Sequence, residues 1–170
     1  MLKQNPEIEL IVEKASEFAQ ACQHSYVTVE HLSFALINYN NFKIMLTEFG
    51  CEWDNLANEF RDYLEASEYY KQNEKTKSVS DKPVRTQALE RVFNRAYTQV
   101  LFGGRTHIQT IDVFVAILVE EKSYSKYLFD KYGVAKDKLL KFFNETYVDE
   151  VEIPALTKEE AEKVLQEHCE

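Results

Sequence analysis

Cys22, His24 and His31 are the residues whose types and spacing come nearest to catalytic chemistry. A thiol activated by a neighbouring imidazole is the nucleophile of several enzyme classes. However, the sequence provides no glycine-rich loop beside them that could form an oxyanion hole, and Cys22 continues the apolar series of the preceding helix. A buried structural thiol with a capping or surface imidazole is therefore the favoured interpretation, and we predict no catalytic residue.

His24, Glu30 and His31 also offer the side-chain types that bind transition metals. Their spacing matches no standard metal-binding signature, so we predict neither a metal site nor a bound cofactor. The sequence has no GxxxxGKS or GxxxxGKT motif to hold the phosphates of ATP. We therefore expect no ATP hydrolysis by this chain alone, and we predict that it is not an enzyme.

A threonine followed two residues later by a carboxylate begins two apolar helical patterns. Thr28 and Glu30 lie in YVTVEHLSFAL, and Thr110 and Asp112 lie in IQTIDVFVAIL. A threonine N-cap accepts a backbone N–H, and a carboxylate in the first turn interacts favourably with the helix dipole. Capping alone would account for these residues. The alternative is that Glu30 and Asp112 lie on the surface as anionic docking points for a partner.

The elements that carry these motifs are helices, because apolar residues recur at spacings of three and four along most of the chain. Four helices are predicted within residues 5–65 and four within residues 86–147, joined by a flexible linker over residues 66–85. Gly50 and Gly133 end equivalent helices. Similar residues recur at offsets of 81 to 83 positions, which indicates an internal repeat. We expect an all-α fold whose repeats pack through Leu32, Leu36, Phe60, Phe114, Leu118 and Phe143.

Charge and composition exclude several classes of function. The net charge is −9, and residues 148–170 contribute −6 of it from eight acidic residues and two lysines. Such a chain is a poor partner for nucleic acid, which also disfavours a helix-turn-helix DNA binder. No apolar run reaches the roughly 18 residues of a membrane span, and the N-terminus does not resemble a signal peptide. Three cysteines without CxxC spacing indicate thiols in a reducing compartment, so we expect a cytoplasmic protein.

The acidic C-terminal segment, residues 148–170, has a helix signal of its own. Thr157 and Glu160 have the spacing of a capping box, and a thin apolar stripe follows them. We therefore predict a short acidic helical tail after a domain of residues 1–147.

The order of five segments resembles the Clp N-terminal domain of Clp-type AAA+ unfoldases, and ClpA-type domains in particular. The segments are MLKQNPEIEL, SYVTVEHLSFALI, FGCEWDNL, QTIDVFVAIL and KYGVAKDKL, within residues 1–147. The resemblance implies two four-helix repeats related by a pseudo-twofold axis. It also implies a non-catalytic module that docks adaptors or unfolding substrates for an ATP-driven ring, or that contacts the ring subunits. A stand-alone regulator that sequesters adaptors or substrates without a motor is the alternative.

The resemblance also implies which residues bind partners. In ClpC-type relatives the carboxylate of each helix start binds phosphorylated arginine, which points to Glu30 and Asp112, each with its threonine, Thr28 and Thr110. In ClpA-type relatives the adaptor ClpS binds near the loop before the second helix and at the end of the linker. The matching positions are Ser25, Glu30, His31, Pro83 and Val84, although Ser25 replaces an acid and Val84 replaces a threonine.

Overall fold

The computed structural model describes residues 5–66 and 82–148, which form eight α-helices and two short strands. In chain order the elements are α1 (Pro6–Ala21), β1 (Tyr26–Val27), α2 (Val29–Asn38), α3 (Asn40–Phe49), α4 (Trp53–Ala66), β2 (Val84–Arg85), α5 (Gln87–Phe102), α6 (Thr110–Leu118), α7 (Tyr124–Lys131) and α8 (Lys136–Phe143). A π-helical turn, Asn144–Val148, follows α8. The predicted helical fold is thus confirmed. The helix predicted to begin at Thr157 lies outside the described residues.

The helix ends follow the local chemistry that the sequence predicts. The Asn5 side chain accepts a hydrogen bond from the Glu7 N–H at 2.9 Å, and Pro6 occupies the first position of α1. Gly50 ends α3 with a φ of 101°, a left-handed conformation that only glycine adopts without strain. These caps satisfy backbone groups that a helix end would otherwise leave without a partner.

The described residues fall into two compact units, one that ends at Lys136 and one that begins at Asp137. The first unit contains the strands and the helices α1 to α7. In the second unit, the structure describes the remainder of α8 and the π-helical turn. Phe143 lies in this second unit and is only partly buried, so its predicted place in the core is wrong.

The core of the first unit joins the two halves of the sequence. Leu32, Leu36 and Leu118 are buried as predicted. Phe42 of α3 packs on Phe114 of α6 with ring centroids 5.2 Å apart. Phe114 contacts Phe129 of α7 at 4.9 Å, and Phe129 contacts Phe60 of α4 at 5.4 Å. Four aromatic rings therefore form a continuous series through helices of both repeats, and burial of such rings is a large favourable term in folding.

The two strands form a parallel pair that the sequence patterns do not predict. Tyr26 lies opposite Val84, and Val27 opposite Arg85. The Val84 N–H donates to the Ser25 carbonyl at 3.0 Å, and the Thr86 N–H donates to the Val27 carbonyl at 3.1 Å. The predicted linker, residues 66–85, is therefore wrong at both ends: Ala66 belongs to α4, and Val84–Arg85 is a strand. Residues 67–81 lie outside the described part of the chain.

None of the helices in residues 5–66 and 82–148 is both long and apolar enough to cross a lipid bilayer.

Candidate protein-binding surfaces

The start of α2 is a buried hydrogen-bond network of Thr28, His31 and His24. The Thr28 side chain accepts from the His31 N–H at 3.3 Å, while the Thr28 N–H donates to His31 Nδ1 at 2.9 Å. His31 Nδ1 therefore carries no proton, so Nε2–H donates to His24 Nδ1, which lies 2.8 Å away. Thr28 is the predicted N-cap, and His31 completes a reciprocal capping box.

Both imidazoles of this network are fully buried, which gives them a structural role. Burial, followed by the nearby His24, lowers the pKa of His31 to about 3, so this ring is neutral at physiological pH. The two imidazoles bind each other, and His31 also binds Thr28. Among the residues that the structure describes, no group of three His, Cys, Asp or Glu side chains could hold a metal ion.

Glu30 is a buried side chain, only 6% exposed, so the alternative that it lies on the surface is wrong. Its Oε2 accepts hydrogen bonds from the Ser125 N–H at 3.1 Å and from the Ser125 hydroxyl at 2.9 Å. Ser33 donates to the same Ser125 hydroxyl at 2.8 Å. Burial raises the pKa of Glu30, and the hydrogen bonds from Ser125 oppose that shift. Because Ser125 lies in the first turn of α7, Glu30 connects the start of α2 to the start of α7.

Asp112 at the start of α6 is already paired as well. Arg105 forms a bidentate ion pair with it, with N···O distances of 3.1 and 2.7 Å. Its Oδ2 also accepts from the Gln109 N–H at 2.8 Å. Gln109 is the N-cap of α6, so the predicted cap at Thr110 is displaced by one residue. The second expected anion is therefore neutralised within the chain.

The paired strands present an exposed apolar pair, of which Val84 is a position expected to contact an adaptor and Tyr26 is not. Tyr26 is 47% exposed and Val84, directly opposite, is 57% exposed. Pro83 is partly buried beside them. Ser25 is at the limit of burial, and its carbonyl holds β2 in place. The exposed tyrosine and valine form a small apolar surface, which we name the strand surface.

A groove with a cavity volume of about 500 Å³ runs between α1 and α5 next to the strand surface, and Pro83 lines it. Buried Ile8, Val27, Phe93 and Ile108 form its floor. Three carboxylates line it as well: Glu9, Glu13 and Glu90. At one end the Asn5 side chain donates to the Ile108 carbonyl at 2.9 Å, which links the start of α1 to the loop after α5. We call it the α1–α5 groove.

A second pocket, of about 490 Å³, lies where α2, α5 and α7 begin. Arg91 and Lys122 line it, and Glu120 binds Arg91 and Arg95 at 3.1 and 3.2 Å. The rings of Tyr63 and Tyr124 stack on its wall with centroids 4.0 Å apart. Sequence reasoning missed this pocket, because its residues come from four separate parts of the chain.

Comparison with known proteins gives the family. Residues 3–132 match the Clp repeat (R) N-terminal domain. A ClpA homolog protein of Fuscovulum blasticum is 27% identical over 143 residues, which are 76% of this chain and 18% of that relative. The chain therefore belongs to the Clp N-terminal domain family. It spans less than a fifth of the length of that curated relative.

Solved structures agree with this assignment at the level of the fold. The N-terminal domain of Hsp104 from Candida albicans superposes with a TM-score of 0.68 at 17% identity, covering 85% of this chain and 89% of that one. The N-domain of ClpV in a complex with a VipB peptide superposes with a TM-score of 0.61 at 21% identity, covering 84% and 85%. These structures share the fold of this chain, and the sequence contains no GxxxxGKS or GxxxxGKT motif.

Proposed function

We propose that this chain is a protein-binding module that docks adaptors or substrates for a Clp-type ATP-dependent unfoldase in the cytoplasm. The observation that carries the proposal is the strand surface. Tyr26 and Val84 are large, exposed and apolar, and they lie beside a groove that Pro83 also lines. Exposed apolar groups next to a concave surface are typical of protein-binding sites. The ClpV N-domain that was solved with a VipB peptide supports the same class of function.

The expected binding residues divide into two groups in this proposal. Val84 and Pro83 contact the partner, with Ser25 holding the strand that carries Val84. Thr28, Glu30 and His31 act indirectly, because they are buried and fix the start of α2 and its connection to α7. Phosphorylated arginine is a less favoured ligand than a protein adaptor. Two carboxylates were expected to bind it, and both have partners within the chain: Glu30 accepts hydrogen bonds from Ser125, and Asp112 forms an ion pair with Arg105.

The strand surface also suits the alternative of a stand-alone regulator. A module that binds an adaptor without supplying a motor would sequester that adaptor from the unfoldase. The two functions use the same contact, so the contact itself is the first thing to test.

Replacing Val84 with aspartate is expected to weaken binding of a ClpS-like adaptor. A charge would be buried in the apolar contact, and we expect Kd to rise by about tenfold or more, which is about 1.4 kcal/mol. The thermal midpoint should change little, because Val84 is exposed. Fluorescence titration of a labelled adaptor measures Kd.

Ile44→Asp is the matched control for this experiment. Ile44 is 46% exposed on α3, so the variant introduces the same charge at a similar exposure elsewhere. It should bind the adaptor as the unmodified chain does. Equal affinities for the Val84→Asp and Ile44→Asp variants would count against a docking role for the strand surface.

A further inference from the structure

Three tyrosines line the pocket where α2, α5 and α7 begin, which we call the tyrosine pocket. Tyr63 and Tyr124 stack with their ring centroids 4.0 Å apart, and the ring of Tyr124 lies 5.4 Å from that of Tyr127. Tyr127 is 57% exposed, so part of this aromatic surface is open to a ligand. An aromatic side chain of a partner can pack on such a ring in an offset or edge-to-face arrangement.

The charged groups of the tyrosine pocket differ in their exposure. Its two carboxylates, Glu30 and Glu120, are buried and hydrogen-bonded within the chain. Glu120 pairs with both Arg91 and Arg95. Arg91 and Lys122 line the pocket and are exposed, and Lys122 forms no ion pair with any residue in the ranges 5–66 and 82–148. A ligand that enters the pocket therefore meets cations rather than carboxylates.

The local excess of positive charge indicates which occupant fits. Three cations, Arg91, Arg95 and Lys122, lie together with two carboxylates, which leaves one positive charge in excess. That excess attracts a carboxylate-bearing ligand. A nucleic acid is disfavoured, because the chain as a whole has a net charge of −9 and would repel a long polyanion. A cavity of about 490 Å³ has room for a few side chains of a peptide.

We propose that the tyrosine pocket binds an acidic segment of a partner protein in which an aromatic side chain lies between carboxylates. The carboxylates pair with Lys122 and Arg91, and the aromatic side chain packs on Tyr127. The inference adds a second contact to the proposed docking function, and it rests on that function only in taking the partner to be a protein. Because the cations are exposed, binding should weaken as salt concentration rises.

Three short synthetic peptides test the pocket by fluorescence titration. The acidic peptide carries a phenylalanine between two glutamates, within glycine and serine residues. The second peptide has glutamine in place of both glutamates, and the third has serine in place of the phenylalanine. Each is titrated against the unmodified chain, and the acidic peptide also against Lys122→Glu and Lys136→Glu. Lys136 is exposed and does not line the pocket, so its variant is a control with the same net charge.

The Kd of the acidic peptide is expected to rise about tenfold or more in Lys122→Glu, and about twofold at most in Lys136→Glu. The glutamine peptide should bind about tenfold more weakly than the acidic peptide, and the serine peptide about threefold more weakly. Unchanged affinity in Lys122→Glu, or equal weakening in both variants, would overturn the proposal. Tighter binding of a single-stranded oligonucleotide than of the acidic peptide would reassign the pocket to nucleic acid. Failure of the proposed function would appear separately, as a ClpS-like adaptor that does not bind the unmodified chain.

Discussion

Replacing Phe114 with alanine is expected to lower the free energy of unfolding by about 3–5 kcal/mol, the cost of removing a buried aromatic side chain. Phe114 is fully buried and contacts both Phe42 and Phe129. It is therefore the ring that joins the α3 side of the core to α7. Denaturant unfolding followed by circular dichroism measures the loss.

Phe102→Ala is the matched control, since Phe102 is 86% exposed at the end of α5. The same chemical change there should alter stability by no more than about 0.5 kcal/mol. If Phe114→Ala is too unstable to fold, Phe114→Leu should still unfold at a measurably lower denaturant concentration, with a cost of about 1 kcal/mol. Similar losses of stability in Phe114→Ala and Phe102→Ala would contradict the placement of Phe114 in the core.

Acid is expected to destabilise the protein through His31. The pKa of His31 is lowered to about 3 in the folded state, and its ordinary value is 6.5. Between these values the unfolded state binds the proton and the folded state does not, so stability falls as pH falls below 6.5. At pH 5 the expected loss relative to neutral pH is about 2 kcal/mol from this residue. Urea unfolding at pH 7.5 and pH 5 measures it.

His31→Gln isolates this contribution, because the amide cannot titrate and can still accept from Thr28 and donate to His24. Between pH 7.5 and pH 5, the free energy of unfolding of the variant should fall by about 2 kcal/mol less than that of the unmodified chain. Glu30 acts in the opposite direction, since its raised pKa makes stability fall as pH rises above 4.5. That contribution is common to both proteins and cancels in the difference. An identical pH dependence for both would show that His31 is not held neutral.

The helices were predictable because their signals are local. Asn5 with Pro6 begins α1, and the left-handed Gly50 ends α3, as a few neighbouring residues indicate. The capping box of Thr28 and His31 also has a local signal, the spacing of three residues, which could have identified the role of the histidine.

The candidate site depended on contacts between distant residues, so much of it was not predictable. Glu30 is buried because it binds Ser125, which lies 95 residues later. The strand that exposes Val84 contains two residues, too few for an alternating pattern to appear. The pairing of Asp112 was predictable, because its partner Arg105 lies only seven residues before it in the sequence. Two opposite charges at that spacing indicate that the carboxylate is neutralised.

The proposed docking function is tested most directly by competition with a complete Clp unfoldase and its protease. Excess of this chain should slow degradation of a substrate that requires a ClpS-like adaptor, because the chain and the ring compete for that adaptor. Degradation of a substrate that needs no adaptor should be unchanged, and the Val84→Asp chain should not inhibit. Adaptor-dependent degradation that continues at the same rate with the chain in large excess would contradict the proposal.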